Sequence, residues 1–459
     1  MSHFEGVLSA DASPVVKGQA LQHSTIRPVG VYVLSGLAVV GAATADAQSK
    51  HQPRLLAVDT IRGYLVEVDP LTHNTTILNP HTVTAWIGAT GLAIWQNTVW
   101  FTLAETVFFG LLGSEGDLIA PNSDPNSDVD AANAQTPAGL TAFTRLPYAA
   151  NGVAVWGSQV YVTCEKSGFI HVFDRESGEC VEKIRQPGVG IENITATEDA
   201  LWLCDRTEQT VYCLDRATGE LRFSALTPFA APTAIALYPQ PDSAAPLCYV
   251  AYANEEPYIR DDPNAESPYQ LTFRDRTFIH PLHIHHDREN HYTLSNGYLV
   301  ELSYVEELLP LDDVPTLTNV EWRIAFPTDT PRQKVRKVEP IGHPFTEEIQ
   351  DGQRVAVYRF DQLTPHQAGL VGWKATIEMY SIKYTLTPED VAAIPDLPAD
   401  FQQRYLIDDD DLAMDSDIIQ QAAKEAVGTE TNLLRKALKI RNYVYDHLSY
   451  GIQPKIDTP

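Results

Sequence analysis

The feature that most constrains this chain is a unit that recurs after 41 residues. Gly152 to Trp156 reads Gly-Val-Ala-Val-Trp and is followed by Val160 to Cys164, by Phe169 to Asp174, and by a turn at Arg175 to Gly178. The plan repeats at Asn193 to Thr197, Leu201 to Asp205, Thr210 to Asp215 and the turn Arg216 to Gly219, so that Asp174 and Asp215 stand 41 residues apart. Looser copies lie at Gly36 to Val40 with Leu55 to Asp59 and Gly63 to Asp69, at Gly91 to Trp95 with Val99 to Leu103, and at Thr233 to Leu237 with Leu247 to Ala251. Five units are visible. Each is a set of short runs rich in β-branched and aromatic residues, broken by Asp, Thr and Gly at the turns. One such sheet cannot bury both of its faces, whereas sheets stacked in a ring can, and a period near 40 residues has the length of one propeller blade.

The span 26–290 therefore reads as a β-propeller, and it resembles the broad group of six- and seven-bladed propellers of the NHL and YVTN type. That resemblance implies an architecture. Most such propellers hold protein or ligand partners through loops at one end of the ring, and a minority are metal enzymes such as lactonases. Asp59 and Asp205 occupy matching positions, where capping of turns is the ordinary role and a ligand position facing a central channel is the alternative. Residues 110–137 lengthen one repeat, placing Gly152 61 residues after Gly91, and read as an inserted acidic loop.

Charge narrows the partners. The chain carries 33 basic and 60 acidic residues, a formal charge of −27, which opposes binding to nucleic-acid phosphates and anionic lipid. No run reaches the ~20 apolar residues that span a bilayer. Val29 to Ala43 followed by Ala45-Asp46-Ala47 has the look of a secretory signal, but it overlaps the first repeat, so a strand and a cytoplasmic location are favoured over export. The five cysteines, Cys164, Cys180, Cys204, Cys213 and Cys248, form no zinc spacing and read as reduced, mostly buried thiols.

His283, His285 and His286 stand in a segment that also holds His280 and His291. On a strand, His283 and His285 share a face, a geometry open to a divalent metal if a further ligand comes from elsewhere. The alternative is a solvated polar link between domains. No other cofactor is indicated.

Beyond Tyr292 the repeat logic gives way to alternating runs at Tyr298 to Leu309, Val320 to Phe326, Val355 to Phe360 and Lys374 to Leu386, the spacing of an antiparallel β-sandwich over 291–400. The span 401–459 is helical. One helix is expected from about Asp415 to Val427, capped by Asp415 or Ser416, and another from Thr431 to Leu448, with Leu433, Ala437, Ile440, Val444 and Leu448 forming one buried stripe. Asp408 to Asp411 between them and the sandwich reads as a solvated linker rather than a calcium loop.

Trp322 to Gln333, Arg404 to Leu406 and the helices ending in Tyr443 to Tyr450 resemble the lead-in to a bacterial transglutaminase-like domain. The resemblance implies a small sandwich before a papain-like core, with the nucleophilic Cys, and then His and Asp, following the last helix seen here. None of the five cysteines takes that place, so no catalytic residue is assigned and the chain is expected to be inactive alone, a truncated product that ends at Ile456 to Pro459. Three readings follow: a propeller that delivers protein substrates to a transglutaminase-like thiol enzyme; a complete propeller scaffold that binds a protein or peptide at its loops; and a metal-dependent propeller enzyme.

Overall fold

A computed structural model describes residues 24–41, 53–112, 118–119, 140–240, 245–261, 269–308, 316–350, 352–364, 369–393, 396–408 and 413–448. Most of the inserted loop at 110–137, most of Asp408 to Asp411, and the last residues of the chain lie outside these. The fold is mainly β, with three helices near the C-terminal end. It divides into two compact units, 1–383 and 384–459.

The first unit opens with five antiparallel sheets laid down in chain order. Sheet one comprises β1 (Leu34–Val40), β2 (Arg54–Asp59), β3 (Tyr64–Val68) and β4 (Thr75–Ile77). Sheet two comprises β5 (Ala89–Trp95), β6 (Thr98–Leu103), β7 (Thr106–Leu112) and β8 (Leu118–Ile119), with β9 (Thr141–Arg145) also paired to β7. Sheet three comprises β10 (Gly152–Trp156), β11 (Gln159–Cys164), β12 (Phe169–Asp174) and β13 (Cys180–Arg185). Sheet four comprises β14 (Ile191–Ala196), β15 (Ala200–Asp205), β16 (Thr210–Asp215) and β17 (Leu221–Leu226). Sheet five comprises β18 (Pro232–Tyr238), β19 (Leu247–Asp261) and β20 (Tyr269–Leu282).

The second strands are apolar on both sides because each sheet lies between two others. Leu56 and Val58 of β2 pack against Leu92 and Phe101 of sheet two, whereas Leu55 and Ala57 face Ala234 and Tyr249 of sheet five. In β15, Leu201 and Leu203 face sheet three while Trp202 and Cys204 face sheet five. Sheets two and three share a further core around Trp100, Val153 and Val162. Five cores thus join five sheets in a cycle, with sheet five against sheet one. Each fully buried Leu, Ile, Val or Phe contributes about 1.5–3 kcal/mol of transfer free energy.

The cycle is closed by the start of the chain. Ile26 is fully buried and pairs with Ile279 of β20, its N–H donating to the Ile279 carbonyl (2.8 Å) and its carbonyl accepting from the Ile279 N–H (2.9 Å). It supplies sheet five with a partner where the other sheets carry a fourth strand. Leu34 to Val40, within the stretch weighed as an export signal, is the first strand of sheet one. Cleavage after Ala47 would remove both that strand and Ile26.

The centre of the cycle is tight. A Cβ on Gly91 would fall 2.7 Å from the Gly152 Cα, and one on Gly152 would fall 2.7 Å from the Asn193 Cα. Side chains are excluded at Gly91 and Gly152, while the Asn193 side chain reaches across to donate to the Ser35 carbonyl (3.0 Å). The register also corrects the alignment of the last repeat: the counterpart of Gly36 and Asn193 is Ala234, not Thr233.

Two further sheets follow within the same unit. One has the order β21-β22-β27-β24, formed by β21 (Ile284–Asp287), β22 (Tyr292–Leu308), β24 (Gln333–Gly342) and β27 (Gly369–Tyr384); the other has the order β23-β26-β25, formed by β23 (Leu317–Ala325), β25 (Thr346–Gln350) and β26 (Gln353–Leu363). They enclose a core of Ile324, Phe326, Tyr358, Trp373 and Ile377. The strands run longer than the sequence runs indicate, β22 beginning at Tyr292 and β27 at Gly369; the exposed face of the second sheet carries Arg323 and Arg359, each bridged to Glu321 and Glu348. This pair of sheets is tied to sheet four through Ser295 Oγ, which donates to the Leu226 carbonyl (2.6 Å), and Lys383 Nζ, which donates to Thr210 Oγ1 (2.9 Å).

The second unit holds α1 (Ala399–Tyr405), α2 (Asp417–Val427) and α3 (Leu433–His447). Ser416 caps α2 by accepting from the Ile419 N–H, and Asn432 caps α3 by accepting from the Arg435 N–H. The expectation of a buried stripe is not met: no residue of these helices is buried, and Leu433, Ile440, Val444 and Leu448 are all exposed. Within this unit, helix α2 touches α3.

Candidate functional site

Antiparallel order fixes which loops share an end of the ring. The turn after each second strand, and the link from each sheet to the next, emerge where the first strands begin. That end carries Asp59 and Asp205, and both are fully buried and spent on backbone donors. Asp59 accepts from Tyr32 N (2.7 Å) and Ile61 N (3.0 Å), with longer contacts from Arg62 N and Val33 N. Asp205 accepts from Glu208 N (2.7 Å) and Gly190 N (3.0 Å). Both therefore cap turns, binding the hairpin of one sheet to the link that enters it.

The opposite end is also built for structure. Asp69, Asp174 and Asp215 each accept two backbone N–H groups of their own turn, as the Asp-x-x-Thr/Ser-Gly pattern leads one to expect. Arg222 beside Asp215 holds that carboxyl down at about 2. Arg216 reaches back to sheet three, donating to Gln159 Oε1 and Tyr161 Oη.

At or beside the start of each first strand stands a polar residue, in the pairs Ser35-Gly36, Thr90-Gly91, Asn151-Gly152, Glu192-Asn193 and Thr233-Ala234, the second member being Gly or Ala except at Asn193. The five polar residues form a ring at the mouth. Ser35 Oγ donates to the Ala89 carbonyl (3.0 Å), Thr90 Oγ1 to the Ala150 carbonyl (3.1 Å), and Thr233 Oγ1 to the Leu34 carbonyl (2.6 Å), each acceptor being the residue just before the polar position of the next sheet. Asn151 bonds the Glu192 side chain, so a fourth link follows the same path. Glu192 is the one charged member. Its carboxylate lies 3.7 Å from the Arg206 guanidinium and is half-buried; burial raises its pKa, Arg206 opposes the rise and Glu165 adds to it. A partly desolvated carboxylate at a mouth is the kind of group that binding sites use.

Around this mouth stand exposed apolar side chains contributed by four sheets and their links. Tyr32, Ile61, Ile87, Tyr148 and Val189 are between 42 and 67% exposed. Arg62 stacks on Tyr32 (4.2 Å) and Lys166 lies over Tyr148 (5.1 Å). Among the described residues the far end exposes Leu71 in a turn and Val181 and Leu221 where outer strands begin. The collar at the mouth is the larger group, and no sequence pattern announces it.

The histidines are dispersed. His285 and His286 are adjacent on β21 and point to opposite faces. The His286 ring stacks on Phe223 (4.8 Å) and its Nδ1 lies 3.1 Å from Thr293 Oγ1, with burial lowering its pKa. His280 packs edge-on against Phe229 and contacts Thr25 Oγ1 through Nδ1 (2.7 Å). His283 precedes β21, and its carbonyl accepts from Asn296 N. Among the described residues no three His, Cys, Asp or Glu side chains group as metal ligands. The thiols offer no nucleophile in the cores: Cys164, Cys204, Cys213 and Cys248 are buried, burial pushes Cys213 up to about 12, and it raises Cys204 and Cys248 as well. Cys180 is exposed on β13. A groove of about 530 Å³ opens among the ends of β22, β24, β26 and β27, lined by Leu308, Gly342, Phe360 and Leu370, with His343 stacked on Phe360; it is distant in sequence from the mouth. Among the described residues no helix is long and apolar enough to cross a membrane.

No protein-family model matches this chain, and no curated protein matches it. Solved structures do. Glutaminyl cyclase of Myxococcus xanthus is 12% identical over 56% of this chain and 94% of its own, with a TM-score of 0.35. A streptogramin B lyase is 14% identical over 50% of this chain and 65% of its own, with a TM-score of 0.27. The computationally designed Ika8 protein is 14% identical over 57% and 67%, also at 0.27. Each likeness covers half of this chain or slightly more, and the function is argued from the residues.

Proposed function

We propose that the five sheets are the blades of a five-bladed β-propeller whose mouth, on the Glu192 side, recognises a protein or peptide partner. The observation that carries this reading is the one-sided collar: exposed apolar residues cluster about a polar centre at one end, whereas the other end is tied up in Asp-capped turns. A test pans a displayed peptide library on the protein and maps the winners by amide exchange. Protection of the 60–63, 145–151 and 186–190 loops, lost in Ile61→Asp/Val189→Asp but kept in Leu71→Asp, supports the reading. Protection confined to the Leu71 end overturns it.

We further propose that the paired sheets and the helical unit belong to a transglutaminase-like thiol enzyme, with the propeller delivering its protein substrates. The bare apolar stripe of α3 favours this over a self-sufficient scaffold, because an amphipathic helix gains most of its stability from a covered face. Reading the encoding locus beyond codon 459 tests it: a Cys at a helix start, followed by His and Asp, is expected, and an immediate stop codon contradicts it. A metal-dependent propeller enzyme has less support, since the axis is filled by glycine backbone and Asn193. The reading is consistent with a cytoplasmic protein, because the ring uses the segment that export would cleave.

A further inference from the structure

The sheet β21-β22-β27-β24 has two edges that differ in kind. Strand β24 forms one, and it carries Lys334, Arg336, Lys337 and Pro340, residues that discourage a further strand from pairing. On the other edge, β21 covers β22 only from Tyr292 to Ser295. Asn296 then takes a φ of 49°, and from Gly297 to Leu308 no described strand lies on the side of β22 away from β27. This open stretch reads Gly-Tyr-Leu-Val-Glu-Leu-Ser-Tyr-Val-Glu-Glu-Leu, without Lys, Arg or Pro. Tyr298, Leu299, Leu302, Tyr304 and Val305 along it are exposed. An unprotected apolar edge of this length is a template for strand addition.

The order of residues along the edge matches its own reverse. Two copies laid antiparallel about a two-fold axis at Leu302 set Leu302 against Leu302, Val300 against Tyr304 and Leu299 against Val305. In the same register Glu301, Glu306 and Glu307 stand opposite Ser303, Tyr298 and Gly297, so no carboxylate faces another. The two copies of Glu301 fall on a diagonal, and each is already bridged to Lys374 of its own β27 (2.8 Å). An axis at Glu301 would set carboxylate against carboxylate, and one at Ser303 would set Leu299 against Glu307 and Val300 against Glu306. Tyr304 stacks on Trp373 of β27 (6.1 Å), a member of the core of the paired sheets. Val300 and Leu302 share that face at period two, so the joint continues an apolar face from one molecule to the next.

We infer that β22 pairs with β22 of a second copy of this chain, antiparallel about Leu302, to make one sheet that runs through both molecules. The joint uses none of the residues at the mouth of the ring, so it stands or falls apart from the recognition reading above.

The test uses the whole chain in about 0.3 M salt, which screens the repulsion between two molecules of charge −27. Sedimentation velocity over a concentration series should show a monomer–dimer equilibrium. Leu302→Lys, which sets two ammonium groups against each other at the axis, should raise the dimer dissociation constant about tenfold or more; Lys334→Gln, on the protected edge, should leave it unchanged. Cross-linking then reads the register, with Cys180→Ser removing the exposed thiol. Directly opposed residues lie within disulfide reach, so Leu302→Cys should give a disulfide-linked dimer on mild oxidation. The two copies of Leu299 lie about 20 Å apart in this register, so Leu299→Cys should not link although it is the more exposed position, whereas Leu299→Cys/Val305→Cys should. Monomer throughout the series overturns the inference. So does a dimer that Leu302→Lys leaves intact, or linking of Leu299→Cys as complete as that of Leu302→Cys.

Discussion

Replacing Asp59 by alanine should cost far more than its position in a surface turn implies. The carboxylate is fully buried and accepts from Tyr32 N at 2.7 Å and Ile61 N at 3.0 Å, with weaker contacts from Arg62 N and Val33 N. A hydrogen bond to a charged acceptor contributes about 1.5–3 kcal/mol net, and a buried donor left without a partner is costly in its own right. Counting only the two short bonds gives about 3–6 kcal/mol for Asp59→Ala, part of which water entering the opened turn offsets. Asp174 accepts from Glu176 N, Ser177 N and Ser177 Oγ, but its carboxylate reaches solvent, so water replaces these bonds and Asp174→Ala should lower the urea midpoint far less. Urea unfolding followed by tryptophan fluorescence separates the two, since Trp86, Trp95 and Trp100 lie in the adjoining blades. Equal shifts of the first transition for the two variants would refute the claim that burial, rather than turn geometry alone, sets the cost.

Two other perturbations test the ring. Gly152→Ala places a Cβ 2.7 Å from the Asn193 backbone, which cannot yield as a side chain can; a loss of about 3 kcal/mol or more, seen as poor soluble yield and a lowered urea midpoint, is expected, against little change for Gly157→Ala, where only the positive φ resists. His280 is held neutral by burial, with its pKa down at about 4, and the nearby His283 adds to the depression. The unfolded chain binds that proton near pH 6.5 and the folded one near 4, so its contribution is fully present above 6.5 and is lost as the pH falls through that window. Because the ring is partly solvated the loss is about 1–2 kcal/mol, read as a urea midpoint that drops from pH 7 to 4.5 in the wild type and less in His280→Phe.

The five repeated sheets were legible because a strand buried on both sides leaves a run of Val, Leu, Tyr and Trp that few other elements leave, and because Asp174 and Asp215 recur with their turns. Closure was not legible. It depends on Ile26 meeting Ile279, a pairing between the two ends of the ring that no local pattern announces. The mouth was half legible: aligned by register, the five first strands show a polar residue before Gly, Ala or Asn, with Glu192 the single charge, but the one-residue slip at Thr233 hid the series. The collar of Tyr32, Ile61, Ile87, Tyr148 and Val189 comes from links and turns, whose exposure follows from the ring and not from their own sequence. The shared face expected of His283 and His285 was drawn on one strand, but β21 begins at Ile284; on it His285 and His286 face apart, and His286 stacks on Phe223. The helices were placed within two residues by their caps, Ser416 and Asn432, while the covering of their apolar stripe was assumed rather than read.

The central claim is that residues 24–282 form a closed ring of five blades, fastened by the first described segment. The direct measurement is a cysteine cross-link between the fastening pair. Ile26 and Ile279 exchange both backbone hydrogen bonds, and directly opposed residues of that kind have Cα atoms about 5.5 Å apart, within the reach of a disulfide. In Ile26→Cys/Ile279→Cys, mild oxidation should give an intramolecular disulfide in nearly every molecule, found by peptide mass mapping, and a raised urea midpoint for the ring. Monomers that stay reduced at both positions, or that join only to other molecules, would contradict the closed ring.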